Sequence, residues 1–290
     1  MISAWKAWLL AARPKTLPAA IVPVWSGCLM TAALGFDISY RLAVVTIMGA
    51  IFIQIATNFF NDVIDALKGA DTIERAGPTR ATASGLLSPK AMYAGASFML
   101  LQALVCGSLL ADERGWPIVA IGIPSLYLSY GYTGGPVPLA YCGLGEIFVI
   151  LFFGFIAVMG TIFIQTGLWP WQGWVLGLQI GCLSAVLIAV NNYRDLEEDK
   201  VANKRTLVVR LGRKPVAFLI YLLTILPSFL VLVFPDSWSW FALAFTLGAT
   251  FLFLEWLLLK PDGVRSSLLG LSALHLILFV SAQHFCLVLT

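Results

Sequence analysis

The chain has 290 residues, of which 60% are hydrophobic and only 11% are charged, and its mean hydropathy is +0.90. Soluble domains carry about 25% charged residues, so this composition excludes an ordinary water-soluble globular protein. We expect lipid rather than nucleic acid around the chain. No long polar stretch leaves room for a second domain, which predicts a single all-α membrane domain over residues 1–290.

Runs of about 20 mostly apolar residues are long enough to cross a bilayer as helices. Helices are expected because they satisfy their own backbone hydrogen bonds in lipid. The alternation typical of membrane barrel strands is absent from the sequence. Nine spans are predicted, at residues 16–34, 42–62, 91–111, 115–131, 144–166, 172–193, 215–234, 238–259 and 267–289.

The basic residues fall almost entirely on one side of the membrane in this arrangement. If the N-terminus is cytosolic, all of the 18 Lys and Arg residues except Arg41 and Arg114 belong to the cytosolic side. This asymmetry follows the positive-inside rule and predicts a multi-pass protein of the cell inner membrane. The long polar connections 62–90 and 192–214 lie on the same side, so we expect the active site to face the cytosol.

The second predicted span ends in a cluster of amide and carboxylate side chains. Asn58, Asn61, Asp62 and Asp65 follow at helical spacing, and Asp71 comes shortly afterwards. Residues 58, 62 and 65 would share one helix face. Carboxylates at the edge of a membrane are costly, which favours a functional role over a solvated helix cap.

The sixth predicted span ends in a similar cluster, with Asn191, Asp195 and Asp199 stacked in one row of a continuous helix. A solvated polar cap is the alternative reading here. Two facing rows of such oxygens repel each other unless cations lie between them. Mg²⁺ is usually held by a few carboxylates together with substrate phosphates. The pattern predicts a Mg²⁺ site whose ligands are Asn58, Asn61, Asp65, Asp71, Asn191, Asp195 and Asp199.

Basic side chains accompany both clusters. Arg and Lys pair well with phosphate oxygens, so a diphosphate is the expected ligand of the metal. The alternative is that these cations only set the membrane topology. The candidate substrate-binding cations are Arg13, Lys15, Arg80, Lys200 and Lys204.

At these positions the sequence resembles the UbiA superfamily of intramembrane prenyltransferases, and within it the branch that acts on naphthoates. The family has nine helices, with acidic motifs at the cytosolic ends of the second and sixth, so the resemblance implies a UbiA-type helical bundle. It spans roughly residues 8–214. The similar stretches are residues 12–17, 58–69 with Asp71, 75–80 with Gly85, 132–136 leading into 143–146, and 203–212.

The motifs depart from the family pattern in three places. Gly69 stands where the first motif usually ends in Asp, and Asn191 replaces the first Asp of the second motif. An amide oxygen still coordinates a cation, so metal binding is weakened rather than excluded. No Lys occurs between residues 115 and 199, which leaves Tyr132 alone as the loop's candidate diphosphate ligand.

The resemblance implies a specific reaction. Mg²⁺ stabilises the leaving group of a polyprenyl diphosphate, and the prenyl group passes to 1,4-dihydroxy-2-naphthoate with loss of CO₂, a step of menaquinone biosynthesis. Glu146 would deprotonate or orient this aromatic acceptor, or else cap the neighbouring glycine turn. The expected catalytic residues are Asp62, Asp65, Glu146, Asp195 and Asp199.

Two alternatives remain open at this stage. Another enzyme of the same superfamily would use 4-hydroxybenzoate, homogentisate or a tetrapyrrole as the acceptor. An ion or solute transporter would also place carboxylates within a membrane, although both clusters here lie at one face rather than at the bilayer centre. Prenyl chain length and oligomeric state are not fixed by the sequence.

Overall fold

The computed structural model describes residues 3–70, 79–234, 243, 245–250 and 265–289. Within these ranges every regular element is helical, as the composition predicts, and short 3-10 turns join some of the helices. The helix Gly145–Thr166 combines α-helical ends with a π-helical centre at Ile150–Met159. In chain order the helices are α1 (Ala4–Ala12), α2 (Pro18–Ala33), α3 (Tyr40–Leu67), α4 (Pro89–Arg114), α5 (Trp116–Gly131), α6 (Gly145–Thr166), α7 (Trp171–Arg194), α8 (Leu196–Val201), α9 (Leu207–Leu211), α10 (Arg213–Leu230) and α11 (Arg265–Leu289).

Six of the described helices (α3, α4, α6, α7, α10 and α11) are long and apolar enough to cross a membrane. The count rises to seven if α1 and α2, which meet at a bend of 48°, form one broken span. Helix α5 has 16 residues. That is about 24 Å, shorter than a hydrocarbon core of about 30 Å. The predicted span 238–259 lies mostly outside the described residues, so the count of nine stays a prediction.

The bundle is organised around separate apolar cores. Helices α1, α3 and α4 enclose one of them, with Phe59, Val63 and Met92 buried at its centre. Helices α2, α6, α7 and α11 enclose another around Ile180 and Leu276. A further core joins α7 to α10. This division leaves space between α3 and α7, and that space contains the site described below.

Helices α6 and α7 approach each other closely through glycines. A Cβ atom on Gly154 would lie 2.3 Å from the carbonyl oxygen of Gly177, and one on Gly181 would lie 2.8 Å from that of Ile150. The π-helical stretch Ile150–Met159 lies at this contact. Wide turns of this kind are rare and often accompany functional sites. The contact fixes α7 against α6 and thereby sets the position of the end of α7.

The second acidic cluster does not lie on one continuous helix, so that prediction is wrong. Helix α7 ends at Arg194, Asp195 lies between the two helices, and α8 begins at Leu196. The backbone N–H of Asp199 still donates to the carbonyl of Asp195 at 2.8 Å, so the chain continues in nearly the same direction. The side chains of the predicted row are nevertheless divided: Asn191 lines the cavity between the cores, whereas Asp195 and Asp199 are buried beside it.

Candidate active site

A cavity of about 820 Å³ lies between α3 and α7. Its lining follows α3 from Thr46 to Asp65, a distance of about 28 Å along the helix. Most of this wall is apolar, and Gly49, Gly107 and Gly122 widen it. The charged and amide side chains gather at one end of the cavity. They are Arg13, Lys15, Gln54, Asn58, Asn61, Asp62, Asp65, Arg80, Asn191, Asn192, Arg194 and Lys204.

Asp62 hydrogen-bonds to the backbone of the loop between α3 and α4. Its side chain accepts the backbone N–H groups of Ala81 at 3.1 Å and Thr82 at 2.8 Å, one on each carboxylate oxygen. Asp62 is 1% exposed. A buried carboxylate that accepts two amides is well satisfied, so Asp62 holds Arg80 at the cavity through the backbone next to it.

Asn58 connects α3 to the N-terminal segment. Its amide nitrogen donates to the carbonyl of Ala12 at 2.9 Å and to the hydroxyl of Thr16 at 3.0 Å. Gln54, one turn earlier, donates to the same hydroxyl at 3.3 Å. These bonds position Arg13 at the mouth of the cavity, at the end of a helix, α1, that the sequence did not predict.

Asp65 is the point at which the two acidic clusters meet. The hydroxyl of Tyr141 donates to one of its oxygens at 2.8 Å, and the ammonium of Lys204 donates to the other at 3.2 Å. The same ammonium lies 4.0 Å from a carboxylate oxygen of Asp199. A single cation therefore joins the end of α3 to the segment after α7.

The loop between α5 and α6 completes this end of the cavity. The hydroxyl of Thr133 donates to the side-chain oxygen of Asn61. Lys68 donates to the carbonyl of Thr133 at 2.9 Å, and its ammonium lies 4.0 Å from the centre of the Tyr141 ring. Partial burial lowers the pKa of Lys68, while the nearby Asp65 opposes that shift. The loop has no lysine of its own, but Lys68 and Lys204 flank its tyrosine.

Glu146 is buried at the start of α6, with 4% of its surface exposed. The amide nitrogen of Asn192 donates to one carboxylate oxygen at 3.0 Å, and the other oxygen has no hydrogen-bond partner in the described part of the chain. Tyr132 lies alongside, since a Cβ on Gly145 would be 2.8 Å from its hydroxyl. Burial, and secondarily the charge of Glu146, raises the pKa of Tyr132, so its hydroxyl stays protonated.

In the second cluster a guanidinium group binds two of the predicted metal ligands. Arg194 donates to both carboxylate oxygens of Asp195, at 2.5 and 2.7 Å, and to the side-chain oxygen of Asn191 at 2.5 Å. The side chains of Arg194 and Asp195 are 2% and 8% exposed. The guanidinium of Arg194 and the carboxylate of Asp195 therefore form a buried ion pair, and their charges cancel at the end of α7.

Asp199 is held by the loop that follows α8. The hydroxyl of Thr206 donates to it at 3.3 Å, and Lys204 lies on its other side. Burial raises the pKa of Asp199 to about 7, with Lys204 opposing and the charges of Asp195 and Asp65 adding to the increase. Lys204 and, to a smaller extent, the hydroxyl of Thr206 thus favour the ionised form of Asp199.

The predicted site residues separate into groups. Asp195, Asp199 and Glu146 do not line the cavity and are buried directly behind its wall. Lys200 pairs with Glu197 at 3.1 Å on the surface, with 49% of its side chain exposed, and is not part of the lining. Asp71 lies outside the described residues. The predicted residues that line the cavity are Arg13, Lys15, Asn58, Asn61, Asp62, Asp65, Arg80, Tyr132, Asn191 and Lys204.

Sequence reasoning missed four residues that contact the clusters. Tyr141 and Thr133 belong to the glycine-rich loop before α6, whose similarity to the family was the available signal. Lys68 and Arg194 enter the sequence prediction only among the basic residues of the cytosolic side. Their contacts join segments that are remote in sequence or depend on side-chain direction, which helical spacing does not predict.

The oxygen donors around Lys204 fit a hard divalent cation. Asp65 and Asp199 supply carboxylates beside Lys204, and the amides of Asn61 and Asn191 line the same cavity, where their oxygens accept from Thr133 and Arg194. In the described ranges no three His, Cys, Asp or Glu side chains gather as a group that could hold a metal by themselves. Mg²⁺ does not need such a group, because it is usually bound through one or two carboxylates, water and substrate phosphates. The donors therefore suit an ion shared with a phosphorylated ligand.

This arrangement defines a class of protein: a multi-pass helical membrane protein with an internal cavity that is charged at one end and apolar along the rest. The sequence model of the UbiA prenyltransferase family matches residues 20–288. The chain belongs to the UbiA prenyltransferase family, as its motifs predicted.

Similar proteins and structures support the assignment of the chain to this family. The chain is 34% identical to the 1,4-dihydroxy-2-naphthoate octaprenyltransferase of Mycobacterium leprae, over 81% of this chain and 79% of the relative. It is 36% identical to the protein of the same name from Haemophilus influenzae, over 71% and 70% of the two chains. Its fold is similar to that of a UbiA homolog from Archaeoglobus fulgidus bound to GPP and Mg²⁺, with a TM-score of 0.65, 17% identity, and coverage of 95% of this chain and 99% of that one.

Proposed function

We propose that this protein transfers a polyprenyl group from polyprenyl diphosphate to 1,4-dihydroxy-2-naphthoate, with release of diphosphate and CO₂, and so forms demethylmenaquinol, the reduced form of demethylmenaquinone, in menaquinone biosynthesis. The observation that carries this proposal is the cavity of about 820 Å³, which is charged at one end and apolar along the rest. A prenyl diphosphate has a charged head group and a long apolar tail, so its polarity matches that of the cavity from end to end. The choice of acceptor follows the names of the relatives. Residues 1–290 act as one prenyltransferase domain.

Mg²⁺ is the metal ion that we assign to this site, because its preferred ligands are carboxylate, amide and phosphate oxygens. Asp65 and Asp199, with Asn61 and Asn191, would hold it, and Asn58, Asp71 and Asp195 remain predicted ligands of the same site. When bound, the ion stabilises negative charge on the leaving diphosphate.

The basic residues at the mouth of the cavity bind and orient the diphosphate. Arg13 is placed there by the bonds of Asn58, and Arg80 by the bonds of Asp62 to the adjacent backbone. Lys204 lines the same cavity. Cations fixed in this way stabilise the leaving group without rearranging during the reaction.

The acceptor ring is expected beside Glu146. Glu146 does not line the cavity itself, but Asn192, which donates to one of its carboxylate oxygens, does, so Glu146 acts on the acceptor through Asn192. The stacked rings of Phe148 and Phe152, 6.1 Å apart, line the neighbouring wall. Aromatic faces stabilise a nearby cation, and the apolar wall excludes the water that would otherwise trap it.

The active site faces the cytosol in this proposal, with the N-terminus on the same side. The support is the segregation of Lys and Arg along the sequence. A fluorescent protein fused to the N-terminus should fluoresce in the cytosol of intact cells. A protease-accessible tag on the outer face would contradict this orientation.

The reaction is tested with the purified full-length protein in nanodiscs. Octaprenyl diphosphate, 1,4-dihydroxy-2-naphthoate and Mg²⁺ are supplied, and mass spectrometry follows the prenylated, decarboxylated product. We expect equal amounts of product and diphosphate, and no turnover with excess EDTA. Parallel reactions contain 4-hydroxybenzoate or homogentisate in place of the naphthoate.

Product formed only with another acceptor would keep the protein a prenyltransferase but overturn the naphthoate assignment. Absence of turnover with every acceptor, together with ion flux in proteoliposomes, would favour the transport alternative.

A further inference from the structure

Lys204 occupies a special position between the two acidic clusters. Its ammonium lies 3.2 Å from Asp65 at the end of α3 and 4.0 Å from Asp199 beyond α7. Its side chain is 16% exposed, and those of the carboxylates are 4% and 9% exposed. No other described cation is recorded within ion-pair distance of both clusters.

The backbone around Lys204 is shaped to hold it there. Asn203 has a φ of 53°, in the left-handed region that side-chain-bearing residues seldom adopt. The backbone N–H of Lys204 then donates to the carbonyl of Asp199 at 2.8 Å, and the N–H of Thr206 donates to the carbonyl of Lys204 at 2.8 Å. The hydroxyl of Thr206 also donates to the carboxylate of Asp199. The turn that contains Lys204 is therefore hydrogen-bonded to the same carboxylate that the ammonium of Lys204 approaches.

Arg194 is the natural comparison. It is nearly fully buried and donates three hydrogen bonds within its own cluster, to Asn191 and Asp195. A planar guanidinium held at three points has little freedom to move. Lys204 instead carries a point charge on a flexible stem, and it lines the cavity in which the diphosphate is expected.

We propose that Lys204 competes with the divalent metal for Asp65 and Asp199, and moves onto the diphosphate when metal and substrate enter together. This inference rests on the proposed function for the identity of the substrate. The ammonium of Lys204 lies within ion-pair distance of both carboxylates, and it is attracted to the same oxygens as a hard metal ion. Lys204 thereby makes tight metal binding depend on the arrival of an anionic head group that accepts its charge.

The competition is tested by Mn²⁺ binding in the absence of any diphosphate. The full-length protein is placed in nanodiscs of neutral phosphatidylcholine, and the electron paramagnetic resonance signal of free Mn²⁺ measures the bound fraction. Lys204→Met keeps the length of the side chain and removes its charge, so we expect it to bind Mn²⁺ about fivefold or more tightly than the wild type. Lys204→Arg keeps the charge and should bind Mn²⁺ as weakly as the wild type does.

Lys214→Met is the matched control, because it removes one exposed positive charge from the same face of the bundle without touching either cluster. Its Mn²⁺ affinity should equal that of the wild type. Lys204→Gln replaces Lys204→Met if the latter does not fold, and it should show the same tightening.

Equal or weaker Mn²⁺ binding by Lys204→Met and Lys204→Gln would overturn the competition. That result together with normal naphthoate prenylation by the wild type would leave the proposed function intact. Tighter Mn²⁺ binding by the variants together with no naphthoate turnover would remove the substrate assignment and keep the competition.

Discussion

The two acidic clusters look alike in the sequence but differ in the structure. In the first, Asp65 lines the cavity and its partners, Tyr141 and Lys204, come from other segments of the chain. In the second, Asp195 is bound on both oxygens by its own neighbour Arg194 and lies behind the wall. The first cluster therefore presents a carboxylate at the cavity wall, whereas the second presents the amides of Asn191 and Asn192 there and keeps its carboxylates behind the wall.

This difference follows from how the two helix ends are built. Helix α3 continues past its cluster to Leu67, so Asp65 keeps a regular helical direction that faces the cavity. Helix α7 ends at Arg194, and the chain restarts at Leu196. Helical spacing alone treats both clusters equally, because it does not include the break at Asp195. The same residue types thus have different roles: in the first cluster they face the cavity, where a ligand can bind, and in the second they partly hold the end of the helix together.

The largest effect is expected for Asp65→Asn. Among the described carboxylates, this change removes the one that both lines the cavity and pairs with Lys204, and the amide that replaces it has no charge to stabilise a metal ion. We expect kcat to fall about a hundredfold or more, with little change in Tm. Initial rates of naphthoate prenylation and thermal unfolding in nanodiscs measure the two quantities.

Asp112→Asn is the control for this variant, since Asp112 is exposed at the end of α4 and does not line the cavity. Its rate should match that of the wild type. A rate for Asp65→Asn within threefold of the wild type would mean that the first cluster does not bind the metal through this carboxylate.

Asp195→Asn should cause a smaller loss of turnover and a larger loss of stability. The substitution leaves the nearly buried guanidinium of Arg194 without its carboxylate partner, which costs about 3 kcal/mol when a buried pair is broken. The double variant Arg194→Gln/Asp195→Asn removes both charges and should recover most of the lost Tm. Thermal unfolding of the two single variants and the double variant measures this coupling.

The opposite result for Asp195→Asn would mean that the two acidic clusters have more similar roles. If Asp195→Asn abolished turnover at unchanged Tm, Asp195 would contact the metal directly in the working enzyme, as the sequence predicts, and Arg194 would have to release it.

Local periodicity explains which parts of the site were predictable. The spacing of Asn58, Asp62 and Asp65 placed all three on the buried side of α3, because a regular helix carries that information in its sequence. The contacts of Tyr141 with Asp65 and of Lys68 with Thr133 join residues more than 60 positions apart. Such contacts depend on how the helices pack, which hydrophobicity does not determine.

The same limit applies to the fold. Apolar runs predicted the described long helices because the hydrophobic pattern reports them directly. The spans 115–131 and 172–193 also match α5 and the end of α7 to within one residue, but no apolar run predicted that α1 would end at Ala12 as a separate helix before the bend. Helix ends depend on caps and tertiary contacts, and these are only weakly encoded in hydropathy.

The smallest effect is expected for Tyr141→Phe. This variant keeps the ring that lies beside Lys68 and Lys204 and removes only the hydroxyl that donates to Asp65 at 2.8 Å. One hydrogen bond to a carboxylate that keeps its other partner is worth about 1 kcal/mol, so kcat/KM should fall roughly threefold to tenfold. Tyr93→Phe, at a tyrosine that does not line the cavity, serves as the control. If Tyr141→Phe reduced kcat/KM as severely as Asp65→Asn, the hydroxyl would contact the reacting groups themselves, and the loop before α6 would count with the first cluster as part of the catalytic centre.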